Sequence, residues 1–177
     1  EAMRGKNPHM RWHHFPHLGG LIATDALTQV LLSESGTKIP PASVRRWRKR
    51  LQDAMLDTHF SLGQTGFAVV AEPDQLASLC RTLYEAGGRV QYAVSPTDSA
   101  VLEHVEAEHV IVGDLASLEG KEGDYSVLVG NFHCERMAHN LGKGHITRGF
   151  PNWEEVGNQL KDDLLYATPY YPLTNLG

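Results

Sequence analysis

The sequence predicts an α/β fold: a domain built on a parallel β-sheet, preceded by a helical connector. Two observations predict it. Up to about Leu62 the apolar residues recur at helical spacing, and from Gly66 onward short β-rich runs alternate with helical or turn segments, the βαβ pattern of a parallel sheet. The length of 177 residues sets the scale, since a chain of this size buries one core, or one domain with a helical appendage. We therefore expect a lead-in over residues 1–62 and an α/β domain over residues 63–177.

In the first part, Ile22, Ala23, Leu27, Val30 and Leu31 recur at helical spacing between Gly20 and a stop at Gly36. Pro40-Pro41 then opens a second helix, on which Val44, Trp47, Leu51, Ala54, Met55 and Thr58 share one stripe. Its opposite face carries Arg45, Arg46, Arg48, Lys49 and Arg50, followed by Asp53 and Asp57. Such a basic run reads first as a solvated face and second as a docking surface for an acidic partner.

Beyond Gly66 the strands are expected at Phe67–Ala71, Val90–Val94, His109–Val112, Ser126–Val129 and His145–Arg148. The strongest helix among them starts at Asp74 as N-cap, aligns Leu76, Leu79, Cys80 and Leu83, and stops at Gly87-Gly88. This makes Cys80 a buried apolar residue. A further helix runs from Phe132 to Asn140, with Gly142 beyond its end, and the segments Ser99–Val105 and Leu115–Leu118 are shorter.

In a parallel sheet the ligand crevice lies beyond the carboxyl ends of the strands. Those ends are Glu72-Pro73-Asp74, Ser95-Pro96-Thr97, Gly113-Asp114, Gly130-Asn131-Phe132-His133-Cys134 and Arg148-Gly149-Phe150-Pro151. Turn and cap chemistry explains many of these residues. The fourth loop is richest: near a helix N-terminus, His133 and Cys134 offer an imidazole and a thiol of lowered pKa, both soft-metal ligands. The commoner arrangement of such a pair is a packed thiol beside a surface imidazole.

Composition and missing motifs narrow the function. A net charge of −5, spread along the chain, gives no footprint for nucleic acid or an anionic membrane. No apolar run approaches the roughly 20 residues of a membrane span, and the expectation is a cytoplasmic protein. The two cysteines, Cys80 and Cys134, are too few for an all-cysteine metal site, so Cys-ligated clusters need ligands from elsewhere. There is no G-x-G-x-x-G after a strand, no P-loop, no G-x-S-x-G elbow and no H-E-x-x-H helix, which disfavours a self-contained NAD enzyme, P-loop NTPase or α/β-hydrolase. His13, His14 and His17 cluster in a Pro-containing loop whose spacing matches no standard zinc site.

Several segments carry a family resemblance: Leu18 to Thr24, Ser35-Gly36, Pro40-Pro41, and Arg50 through His59 with its D-x-M-x-D-x-H pattern. It continues through Glu72-Pro73-Asp74, Val112-Gly113-Asp114-Leu115, Gly130-Asn131-Phe132-His133 and Arg148-Gly149-Phe150-Pro151, in order and over nearly the whole chain. Together they resemble the β-type subunits of nitrogenase component 1, above all the branch that serves as a scaffold in iron-molybdenum cofactor assembly. The resemblance implies a Rossmann-like domain, one of several in a subunit, and an assembly with an α-type partner subunit. It also implies iron-sulfur clusters or a cofactor precursor in the full complex, and electrons from an ATP-dependent reductase. The cysteines that would ligate the interfacial cluster fall outside this sequence. Loops matching those that line the cofactor cavity in α-type relatives make Glu72, Asp74, Asn131, His133, Cys134 and Arg148 the implied cofactor-binding residues. No catalytic residue is implied, and whether the parent complex is a scaffold or an oxidoreductase stays open. Asn152-Trp153-Glu154-Glu155 replaces the usual β-type continuation, and no T-V-G-Y helix start is recognisable in Leu165–Pro172. The alternative is a structural β-type subunit of an active nitrogenase-like oxidoreductase, either a nitrogenase or a reductase of tetrapyrroles or sulfur compounds.

Overall fold

The computed structural model describes residues 11–148. Helix α1 (Leu21–Ser35) leads into α2 (Ala42–Gly63), and the sheet domain follows as β1 (Gly66–Val70), α3 (Pro73–Glu85), β2 (Arg89–Ser95) and β3 (His109–Val112), then β4 (Val127–Gly130), α4 (Phe132–Asn140) and β5 (Gly144–Thr147). Short 3-10 turns at Ala100–His104 and Leu115–Leu118 flank β3. All five strands pair parallel in the order β3-β2-β1-β4-β5. The predicted parallel α/β fold is therefore present, and each strand lies within a residue or so of its expected bounds. The continuation after Arg148, including Gly149-Phe150-Pro151 and Leu165–Pro172, lies outside the described residues.

Alternation along the strands covers the sheet on both faces. Phe67, Val69 and Val129 face one core with Leu76, Cys80 and Leu83 of α3 and with Leu51, Met55 and Leu62 of α2. On the opposite face Ala68, Val94 and Leu128 pack with Leu118, Tyr125, and Cys134 and Ala138 of α4. Thus α2 contributes to the same core as the sheet, and its expected stripe faces inward, Leu51 and Met55 being buried. His59, the residue after that stripe, holds its Nδ1 3.2 Å from the Ala86 carbonyl oxygen. The exposed side carries Arg45, Arg46, Lys49 and Arg50, whereas Arg48 turns away from it. The Arg48 Nε and Nη2 donate to the Asp25 carboxylate at 2.8 Å each, and its Nη1 donates to Gln52, which ties α2 to α1.

Two expectations for the helices are corrected. On α1 the inward residue is Thr24, while Ile22 and Leu31 of the supposed apolar stripe are 56% and 58% exposed. Docking on α3 sets this rotation. The α1 N-terminus meets Glu85, whose Oε2 accepts from the backbone N–H groups of Leu21 (2.6 Å) and Ile22 (3.3 Å). Gly20 has φ +85°, and a Cβ there would meet that carboxylate at 2.8 Å. On α3 the N-cap is Glu72, not Asp74, because Pro73 takes the first helical position, where its missing N–H costs nothing and its fixed φ suits the helix. Asp74 sits in the first turn, where a carboxylate complements the positive end of the helix. The expected stop holds: Gly87 has φ +89° and the Gly88 N–H returns to the Leu83 carbonyl.

Candidate functional site

Because β1 lies between β2 and β4, chain direction across the sheet reverses there, and the carboxyl ends of β1 and β4 frame the crevice where ligands bind in such sheets. On the β1 side, the exposed Glu72 accepts through Oε2 from Thr97 Oγ1 at 3.2 Å, a bond that joins the loops after β1 and β2. Thr97 is itself fixed by Ser95, which is fully buried and whose Oγ donates to the Thr97 carbonyl at 2.9 Å. Asp74 stays exposed one turn into α3.

On the β4 side, Gly130 lets the chain turn tightly into α4. A Cβ at this position would collide with Cys134 Sγ and lie 3.1 Å from the Val70 carbonyl oxygen. Asn131 caps α4, its Oδ1 accepting from the His133 N–H at 3.1 Å and from the Cys134 thiol at 3.8 Å. Arg148 follows β5. Its backbone N–H donates to the Gly130 carbonyl at 2.6 Å and its Nη1 to the Thr147 carbonyl at 2.7 Å, so the start of the last loop is tied to the turn that carries Asn131.

The structure sets His133 and Cys134 apart, one exposed and the other buried. Cys134 is 1% exposed and packs with Tyr125, Leu128 and Ala138. Burial pushes its thiol up to about 11, and the hydrogen bond at Asn131 offsets only part of that. The expected lowered pKa is therefore reversed, because the apolar environment outweighs the helix N-terminus. His133 points outward against the Phe132 ring, with centroids 3.9 Å apart, and lines a shallow cavity of about 430 Å³ with Glu135, Arg136 and His139. Among the described residues no three His, Cys, Asp or Glu side chains gather to hold a metal ion. In the histidine-rich segment, His13 lies 3.5 Å from Glu34, beside the Arg11–Glu34 ion pair at 2.7 Å.

A polar residue beside this turn was not among the expected site residues. His145 pairs with Leu128 in the sheet register and shares its α4-facing side. Its Nδ1 is 3.4 Å from Thr147 Oγ1, and its Nε2 is buried without a hydrogen bond of good geometry. Burial holds the imidazole pKa below its usual value, and the Glu135 carboxylate and the backbone of Asn131 and Gly130 pull weakly the other way. Its only sequence signal is an ionisable residue at an inward strand position.

The crevice thus offers a carboxylate, a capped helix N-terminus and a guanidinium on a rigid scaffold, with no soft-metal donor set among the described residues. Carboxylate, backbone N–H and guanidinium groups are hydrogen-bond and ion-pair partners for a polar ligand. That fold and site define the protein as a Rossmann-like α/β domain with a switch-point crevice. The model of nitrogenase component 1 type oxidoreductases matches residues 6–167, and the chain belongs to that family. Among its relatives, the nitrogenase iron-molybdenum cofactor biosynthesis protein NifN of Mesorhizobium japonicum is 38% identical over 153 residues, 86% of this chain and 33% of that protein. NifN of Rhizobium meliloti is 36% identical over 173 residues, 94% of this chain and 39% of that protein. A solved nitrogenase structure, Cp1 at pH 6.5, superposes with a TM-score of 0.68 at 25% identity, covering 78% of this chain and 33% of the other. The chain spans little more than a third of the length of these relatives.

Proposed function

We propose that this chain is part of a NifN-like scaffold subunit for iron-molybdenum cofactor biosynthesis, which positions and shields an iron-sulfur cofactor precursor together with an α-type, NifE-like partner subunit. The observation that carries this reading is the NifN likeness along 94% of the chain in one relative and 86% in another. The chemistry of the crevice agrees with a shielding role. Arg148 supplies positive charge that suits an anionic sulfide cluster or an organic acid, and Glu72, Asp74, Asn131 and His133 supply polar edges. The residues present do not fit a ligand set for a cluster, since Cys134 is buried and protonated. The metal bonds then belong to other parts of the complex, and the electrons to an ATP-dependent reductase.

The test is anaerobic reconstitution with iron and sulfide of the protein alone and with its partner subunit, read by iron content and EPR. Cluster uptake in the complex, weakened by Arg148→Ala while the complex stays assembled, is the expected result. Uptake by this chain alone, undiminished in Arg148→Ala, would overturn the shielding role.

A further inference from the structure

The β4–α4 turn rests on a histidine that nothing in the scaffold reading uses. His145 enters β5 on the side facing α4, opposite Leu128, and its ring reaches the backbone of Gly130 and Asn131. Nδ1 lies 3.4 Å from Thr147 Oγ1, and Nε2 is sealed from solvent without a hydrogen bond of good geometry. A neutral imidazole tolerates that placement at modest cost, because one nitrogen is an acceptor and needs no proton partner. A protonated one has two N–H donors and a full charge to satisfy in a desolvated position.

We propose that His145 is a positioning residue for the Gly130–Asn131 turn, seating it only while the imidazole is neutral. The groups that favour a charged ring, the Glu135 carboxylate and the backbone of Asn131 and Gly130, do not outweigh its burial. From α4, Glu135 is the carboxylate that bears on the ring, but it is exposed and in the first turn. Cys134 on the same helix is a neutral thiol under these conditions. β4 contributes no titratable side chain, and Arg148, just beyond β5, has its guanidinium bonded to the Thr147 carbonyl. Protonation therefore drives the ring toward solvent or Glu135, and the turn that presents Asn131 and the His133 amide loses its floor. The packing is tight enough to transmit this, since Gly130 already sits against Cys134 and the Val70 carbonyl with no room for a Cβ. The folded state disfavours the proton, so the seating is complete above the ordinary histidine pKa and is lost as the pH falls through the lowered one. This inference concerns the order of the turn and stands whether or not the protein handles a cluster.

Amide hydrogen exchange of the purified protein, read by mass spectrometry and corrected for intrinsic rates, measures it directly. Between about pH 7.5 and about pH 5, protection of peptides covering residues 130–135 should fall at least about threefold relative to peptides from β1 and β2. In His145→Gln, which is neutral throughout, the ratio should stay flat, and in Glu135→Gln the fall should move to lower pH because the group that favours the charged ring is gone. His145→Leu offers a second neutral variant should the glutamine disturb folding. A wild-type ratio that does not change with pH, or a fall that survives in the neutral variants, would overturn the proposal.

Discussion

Replacing Glu85 by alanine should detach α1 from the sheet domain while leaving the sheet itself intact. The Glu85 side chain is 6% exposed, accepts the first two amides of α1 at 2.6 and 3.3 Å, and receives Arg81 Nε at 3.1 Å. Truncation leaves those α1 amides without their acceptor, while Arg81 keeps its bond to Glu106 at 2.6 Å. A hydrogen bond to a charged group contributes about 1.5–3 kcal/mol and loss of a helix N-cap costs about 1, so with partial rehydration of the freed amides the expected loss is about 2–3 kcal/mol. Against a total stability of about 5–15 kcal/mol this is a large fraction, easily read as a lower urea midpoint. Glu85→Gln keeps an acceptor oxygen without its charge and should lose roughly half as much. Amide exchange gives the second readout: α1 should lose protection in both variants, and β1 and β2 should change little at low denaturant. If Glu85→Ala shifts stability by less than about 0.5 kcal/mol, the carboxylate does not anchor α1 and the reasoning fails.

Other outcomes follow from the core and the crevice. Leu51, 1% exposed on α2, packs with Phe67 and Leu76, and Leu51→Ala should cost about 2–5 kcal/mol in urea unfolding; a neutral effect would mean that α2 is an appendage. Gly130→Ala should destabilise the protein and weaken protection of α4, because the new methyl group meets the Val70 carbonyl at 3.1 Å as well as Cys134; thermal unfolding reads it, and an unchanged midpoint refutes the close approach. Cys134 should resist iodoacetamide at neutral pH until the protein is denatured, and because burial holds its folded pKa at about 11, above the ordinary thiol value of 9.0, the stability tied to the neutral thiol should decline as pH rises from about 9 toward 11. Rapid native alkylation at Cys134, mapped by mass spectrometry, would contradict its burial.

The features legible in the sequence were those set by local chemistry. Phe132–Asn140 was predicted with its observed bounds because a turn residue precedes it and Gly142 follows, and the α2 stripe from Val44 to Thr58 was recoverable from its period alone. Strand positions could be read from β-rich runs, but their lateral order could not, since the neighbours of β1 are chosen by contacts between segments far apart in sequence. The same limit hid Glu85 as the cap of a helix 64 residues away, and it left α1 with a stripe whose Ile22 and Leu31 face outward. At the site, sequence placed Cys134 at a helix start but not its direction. Position Cys134 of α4 faces the sheet, whereas His133, one residue earlier and about 100° around the helix, faces out. His145 escaped notice for the opposite reason, as a strand residue whose neighbours only the register identifies.

The strand order also governs when the crevice comes into being. β1 and β2 are joined by a single crossover and can pair early, and β3 extends them outward, so the first half of the sheet grows from near neighbours. β4 must then return from the far edge to the other side of β1, bringing Val127 against Phe67 after the whole β2–β3 half has been laid down. Closing a loop of that size is entropically costly and slow relative to local pairing. During synthesis or refolding, the flank of β1 that meets β4 is consequently an open, apolar edge until this late step, and the turn at Gly130 does not exist before it. A nascent chain interrupted between Val112 and Val127 would hold a half-sheet with an adhesive edge and no crevice, which places the demand for chaperone protection in that interval.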